Sequence, residues 1–230
     1  LREANIEGFV LHARDYRDTS QLVDIFTQAH GRVRLVARGS RSHKKNSVRL
    51  SPFCKAYFSW TGRGELKTLT DCEPVVNYQL KGEFLISGFY INELLWHLLL
   101  PEDSHPRLYH HYSESLIALD SKADLEALLR SFELSLLEEV GYGISFDHDY
   151  EGNVIDPAQH YNLSSELGWQ PIVVAESRSL TGAQIMAISQ SDFSDKAVRN
   201  ACKYINRVAI DEMLDGKKLN SRELIAQTRS

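Results

Sequence analysis

The hydrophobic period of this chain changes once, near residue 80, from about two residues to about 3.6, a pattern that neither a lone sheet nor a lone helical bundle can satisfy. Before the change, short apolar runs at 9–12, 22–27, 32–38, 52–60 and 65–71 are separated by turn chemistry and read as five strands. Within 32–38, Val33, Leu35 and Ala37 point one way and Arg32, Arg34, Val36 and Arg38 the other, so one face meets a core and the other is cationic. Gly31, Gly62 and Gly64 fall where hairpins turn, and 39–47 is a polar, basic connection too long for a two-residue turn. Five short strands and one long basic loop predict a small closed barrel of the oligonucleotide-binding type over residues 1–80.

The remainder, 81–230, is predicted to be mainly α-helical, which makes the chain α+β with an N-terminal OB-fold barrel and a helical C-terminal domain. Leu125, Leu128, Leu129, Phe132, Leu136, Leu137 and Val140 form one helical stripe that ends at Gly141. Thr181 with Gln184 has the spacing of a capping box, Val198, Ala201, Ile205, Val208 and Met213 mark another helix, and Asn220 with Glu223 starts a last one. Between them, 145–177 holds Gly152, Asn153, Asp156, Pro157, Gly168 and Pro171 among scattered apolar residues, as in an irregular insert or short hairpin. The apolar stretch 84–100 is interrupted by Ser87, Gly88, Asn92, Glu93 and His97, so it reads as a buried helix and no membrane contact is expected. No export signal is visible at the start, and the expected location is the cytoplasm. Cys54, Cys72 and Cys202 are odd in number and far apart, which fits reduced thiols rather than disulfides or a zinc knuckle.

The net charge of −5 conceals two opposed parts. Between Ile25 and Gly64 there is no Asp or Glu, while Arg32, Arg34, Arg38, Arg41, Lys44, Lys45, Arg49, Lys55 and Arg63 supply nine cations; the other 190 residues balance at −14. About a quarter of an average chain is charged and surfaces normally mix both signs, so a forty-residue segment without an acid points to a polyanion footprint. Single-stranded DNA binding pairs such cations with aromatic platforms. Phe58 and Trp60 share one strand parity, Phe53 and Tyr57 the other, and alternation alone does not say which pair faces outward.

Other chemistry finds less support. No GxxxxGK[ST] loop is present, so the chain is neither a recombinase nor a helicase of the phosphate-loop kind, and Gly62 with Gly64 lacks the third glycine of a dinucleotide fingerprint. No cofactor is expected. A metal-dependent enzyme acting on a nucleic acid or phosphorylated substrate would have to use Asp147, His148, Asp149, Asp156 and His160, which have no metalloprotease-like spacing. His110 and His111, beside Tyr109 and Tyr112, read as a helix surface. An RNA-binding adaptor is a third reading.

Five segments taken in order, GFVLHARDYRDTSQLVDIFTQAHGRVRLVARGSR near the start, GRGELKTL at 62–69, YINELL at 90–95, FELSLLEEVGYG at 132–143 and GKKLNSREL at 216–224, resemble the bacterial recombination-mediator RecO family. The resemblance implies a DNA repair and recombination mediator without catalytic activity, associated with the nucleoid. Such a protein binds single- and double-stranded DNA, anneals complementary strands and works with RecR in replacing single-strand-binding protein by RecA. Some family members carry a four-cysteine zinc site in the helical domain; 145–177 has no cysteine, so that site is not carried over. The resemblance also implies that the helical domain receives the acidic tail of single-strand-binding protein. The cation expected at the groove's rim is Arg130, the only Lys or Arg between Lys122 and Arg178, with Glu126 and Glu133 as competing helix partners.

Overall fold

Side-chain alternation decides the first third of the fold. In the computed structural model, which describes residues 2–41, 49–164 and 166–228, the strands are β1 (Arg2–Tyr16), β2 (Ser20–Thr27), β3 (Gly31–Ala37), β4 (Cys54–Thr61) and β5 (Leu66–Asn77). They close into a barrel in the order β1-β2-β3-β5-β4, the arrangement of an OB fold. Val33 and Leu35 of β3 meet Val10, Val23, Ile25, Ala56, Phe58 and Trp60 inside. Arg32, Arg34 and Val36 therefore lie on the outer face, half-buried. The open parity of the β4 aromatics is thereby resolved: Phe58 and Trp60 are core, Tyr57 faces outward, and Phe53 is a buried turn residue against Phe89 at 5.2 Å between ring centroids.

The closure between β3 and β5 is parallel and short, with only Arg34–Leu66, Leu35–Lys67 and Val36–Thr68 in register. The start of β3 is instead completed by the connection between α1 (Gly82–Leu98) and α2 (Pro106–Asp120). Pro101 forms a parallel bridge with Arg32, the Glu102 amide donates to the Arg32 carbonyl at 2.9 Å, and the Arg32 guanidinium donates to the Leu99 carbonyl at 3.3 Å. The same helices cover the outer face of β1 and β2. Phe9 packs on Tyr109 and Tyr112 at 5.5 and 5.2 Å, and Asn92 donates to the Leu11 carbonyl at 2.8 Å while accepting from the Tyr112 hydroxyl at 2.7 Å.

The last strand ends at Asn77 and the first helix begins at Gly82, where the period of the sequence changes. The compact units divide elsewhere: one comprises Leu1–Ala123 with Lys218–Ser230, the other Asp124–Lys217. The first unit regains the chain's end because Glu93 of α1 caps α6 (Asn220–Thr228) from outside the helix, accepting from the Asn220 amide at 2.8 Å and the Ser221 amide at 2.9 Å. These are two of the donors a helix start leaves unpaired, and a carboxylate there also meets the favourable end of the helix dipole.

The second unit contains α3 (Leu125–Glu139), the sheet β7-β6-β8 made of β6 (His160–Ser164), β7 (Gly168–Ile172) and β8 (Leu180–Thr181), α4 (Gly182–Ser189) and α5 (Lys196–Leu214). Asp124 caps α3, Gly141 follows it at φ 81°, and Thr181 with Gln184 forms the capping box that starts α4. The apolar residues of 145–177 are not decoration. Ile155, Tyr161 and Trp169 share one core with Leu180, Ile185, Val198, Cys202 and Ile205. Among the described residues no helix is long and apolar enough to cross a membrane.

Gly31 is the tightest point of the barrel's closure. Its φ is 58°, and a Cβ there would stand 1.7 Å from the Asp103 carbonyl oxygen. Left-handed strain and backbone displacement together make Gly31→Ala destabilising by about 2–4 kcal/mol. Urea unfolding should show this loss, with Gly64→Ala, whose Cβ would meet no atom within 4 Å, unchanged beside it.

Candidate nucleic-acid interface

The seven described cations of the acid-free segment stand in different surroundings. On β3, Arg34 donates from Nε to Asp24 at 2.8 Å and Arg32 stands 3.8 Å from the same carboxylate, which also accepts from the Trp96 indole at 3.2 Å. Asp24 is 2% exposed, so Arg32 and Arg34 act first as its counter-charges. Lys55, on β4, pairs with Glu7 at 3.0 Å and lies over the Phe9 ring, on the face shared by β1 and β4. Tyr57 stands opposite Glu7 and Glu73 in the ladders, a poor place for a base flanked by phosphates.

The cations at the ends of strands are placed differently. Arg41 and Arg49 flank the long basic connection and share Asp15 at 3.1 and 3.6 Å. The Arg41 amide donates to Thr19 at 3.0 Å and its guanidinium to the Arg17 carbonyl at 3.3 Å. At the returning end Gln21 grips Leu50 through both backbone groups, at 3.0 and 2.9 Å. Both ends of the connection are thus tied to the β1–β2 hairpin. Arg38 precedes it, exposed, and Arg63 stands exposed in the β4–β5 loop; neither makes an ion pair among the described residues. Lys44 and Lys45 lie outside the described residues.

Two cations missed by the sequence reading join Arg38, Arg41 and Arg49 at their end of the barrel. Arg14 is exposed on β1, and Arg17, in the hairpin turn, stacks on Tyr16 at 5.1 Å. Asp15 and Asp18 hide them from a search for acid-free windows; the signal that finds them is topological, since β1 and β2 return to where β3 ends. Exposed guanidinium groups at the first hairpin and the β4–β5 loop suit the sequence-independent part of nucleic-acid binding, in which cations displace counterions from phosphates.

A profile of the family described as Recombination protein O matches this chain in two parts, the N-terminal one over residues 1–78 and the C-terminal one over 81–223. The chain belongs to the RecO family. Proteins named DNA repair protein RecO are similar over nearly their whole length. That of Haemophilus influenzae is 40% identical over 224 residues, 96% of this chain and 94% of its own. The Pseudomonas paraeruginosa protein is 41% identical over 217 residues, covering 94% and 92%. The Vibrio cholerae protein is 38% identical over 223 residues, covering 96% and 92%.

The helical half of this RecO-family chain corrects one placement. Arg130 is not at a groove's rim. It is 7% exposed, donating at 2.7 Å to Glu133, which also accepts from Asn206 of α5 at 3.0 Å. A guanidinium at i pairs readily with a carboxylate at i+3, and packing of α3 on α5 then buries both. Of the residues a metal-dependent enzyme would need, Asp149 accepts from the Glu151 and Asn153 amides and so holds a turn, as Asp156 does through the Ala158 amide. Among the described residues no group of three or more His, Cys, Asp or Glu is placed to hold a metal. Burial pushes the Cys72 and Cys202 thiols up to about 12, so both remain unreactive thiols at neutral pH.

Removing one member of a buried ion pair strands the other, at about 3–5 kcal/mol. Arg130→Ala should therefore lower the urea midpoint of the Asp124–Lys217 unit, whereas Arg38→Ala on the surface should stay within about 0.5 kcal/mol of the parent.

Proposed function

We propose that this RecO-family DNA repair protein is a non-enzymatic mediator that binds single- and double-stranded DNA through the strand-end cations of its barrel. It anneals complementary strands and, with RecR, helps RecA displace single-strand-binding protein. The observation that carries the reading is the joining of Arg41 and Arg49 at Asp15 against the first hairpin, with Arg17 and Arg38 on the same end of the barrel. Asp15 and Asp18 together offset two of these four charges, and the remainder is left to face a polyanion. Arg32, Arg34 and Lys55 serve this reading indirectly, by fixing the strands that carry the loops.

The test is a fluorescence anisotropy titration of labelled single-stranded DNA at several salt concentrations. Replacing Arg38, Arg41 and Arg49 by Glu should nearly abolish binding; replacing them by Ala should flatten the plot of log K against log salt by about 2, at about 0.7 per lost phosphate contact. The Glu variant should also lose annealing of strands coated by the cognate single-strand-binding protein. Parental affinity in the Glu variant would refute the reading, and DNA cleavage or ATP turnover belonging to this chain would refute its non-enzymatic part.

A further inference from the structure

Lys67 is a lysine inside a barrel. It follows Leu66 on β5 in register with inward-facing Leu35, and its side chain is 3% exposed. Its ammonium donates to the Gly64 carbonyl at 3.3 Å and pairs with Glu102, whose side chain is 46% exposed. A buried charge of this kind is a poor source of stability, since desolvation offsets most of the attraction and an apolar residue of similar volume serves as well or better. The ammonium is explained by what it touches.

Those contacts converge on the loop that carries Arg63. Gly62 and Gly64 flank Arg63, and two glycines in a four-residue loop leave an unanchored segment with large conformational freedom. Lys67 removes that freedom at both positions: its ammonium holds the Gly64 carbonyl, and its backbone and stem lie 3.3–3.6 Å from where a Cβ would stand on Gly62. Glu102 in turn is fixed by the α1–α2 connection, whose amide at 102 is bonded to Arg32 and whose Asp103 closes over Gly31. A continuous set of contacts runs from that connection through Glu102 and Lys67 to the loop.

We propose that Lys67 is a positioning residue: with Glu102 it holds the β4–β5 loop so that Arg63 is presented to a nucleic-acid phosphate before binding. The inference rests on the reading of the barrel as the DNA-binding element. Holding the loop in advance removes an ordering cost that the complex would otherwise bear, and the gain appears as affinity even though Lys67 touches no phosphate.

The experiment is a double-mutant cycle on the full chain, read by anisotropy with labelled oligothymidine and by urea unfolding. Arg63→Ala should weaken binding roughly fivefold, and Lys67→Met and Glu102→Ala each roughly threefold, with neither adding a further loss in the Arg63→Ala background. Two features separate positioning from a purely structural or electrostatic role. Lys67→Met should bind more weakly while unfolding at or above the parental midpoint, and Glu102→Ala should bind more weakly although it removes an acid that repels DNA. Parental or tighter binding by Lys67→Met or Glu102→Ala, or a loss that persists without Arg63, would overturn the proposal. So would an Arg63→Ala variant that binds like the parent. If the Arg38, Arg41 and Arg49 variants lose affinity in the same assays, that failure belongs to this inference alone; if they too bind like the parent, the DNA-binding reading itself fails.

Discussion

A single buried carboxylate governs how this barrel handles its charge. Asp24 sits on the covered face of β2, where α1 and α2 exclude water, and an ion so placed needs several partners. It has Arg34 from the next strand, Arg32 beside it and the Trp96 indole from the helix above. Burial pulls the Arg32 guanidinium down from its ordinary value while Asp24 acts in the opposite direction, so the pair is held by mutual need rather than by solvent. One interaction thereby joins β2, β3 and α1. It also removes two arginines from the inventory of cations free to meet a ligand.

This is why charge counting along the sequence cannot tell a cation held by a buried acid from one that faces solvent. The period of two in 32–38, the absence of acids from 26 to 64 and the turn glycines are local signals, and the five strands they mark are the five strands of the barrel. The pairing of Arg34 with Asp24 is a cross-strand contact set by register, and that of Lys55 with Glu7 depends on β4 closing against β1. Neither leaves a trace in a window of sequence. The converse error has the same origin: Arg17 looks neutralised by Asp15 and Asp18 in sequence, yet Asp15 is occupied by Arg41 and Arg49 from a segment more than twenty residues away.

The helical half repeats the lesson with the opposite outcome. The caps at Thr181 and Gly141 and the stripe of α3 are legible because they depend on residues three or four apart. The role of 145–177 is not, since Ile155, Tyr161 and Trp169 become core only when a hairpin brings them to α4 and α5. Arg130 illustrates the limit of an amphipathic-helix reading. Its guanidinium lies in the packing of α3 on α5, and the cation that looks exceptional in an acidic stretch is there to neutralise Glu133 and, with Asn206, to fix the register of α3 on α5.

The distribution of aromatics bears on what kind of grip the barrel offers. Phe58 and Trp60 fill the core, Phe53 is buried in a turn, and Tyr57 is flanked by acids, which leaves Tyr16 beneath Arg17 as the aromatic nearest the basic end. A surface that stacks every base sequesters the edges through which strands pair. One that works through guanidinium groups on loops holds the phosphates and leaves those edges open. Under the proposed reading, the scarcity of stacking platforms is therefore suited to annealing: the cations offset the repulsion between two polyanions while the bases remain available to find each other. Under that reading the grip is also dependent on salt and indifferent to sequence, because the displaced counterions are alike at every nucleotide.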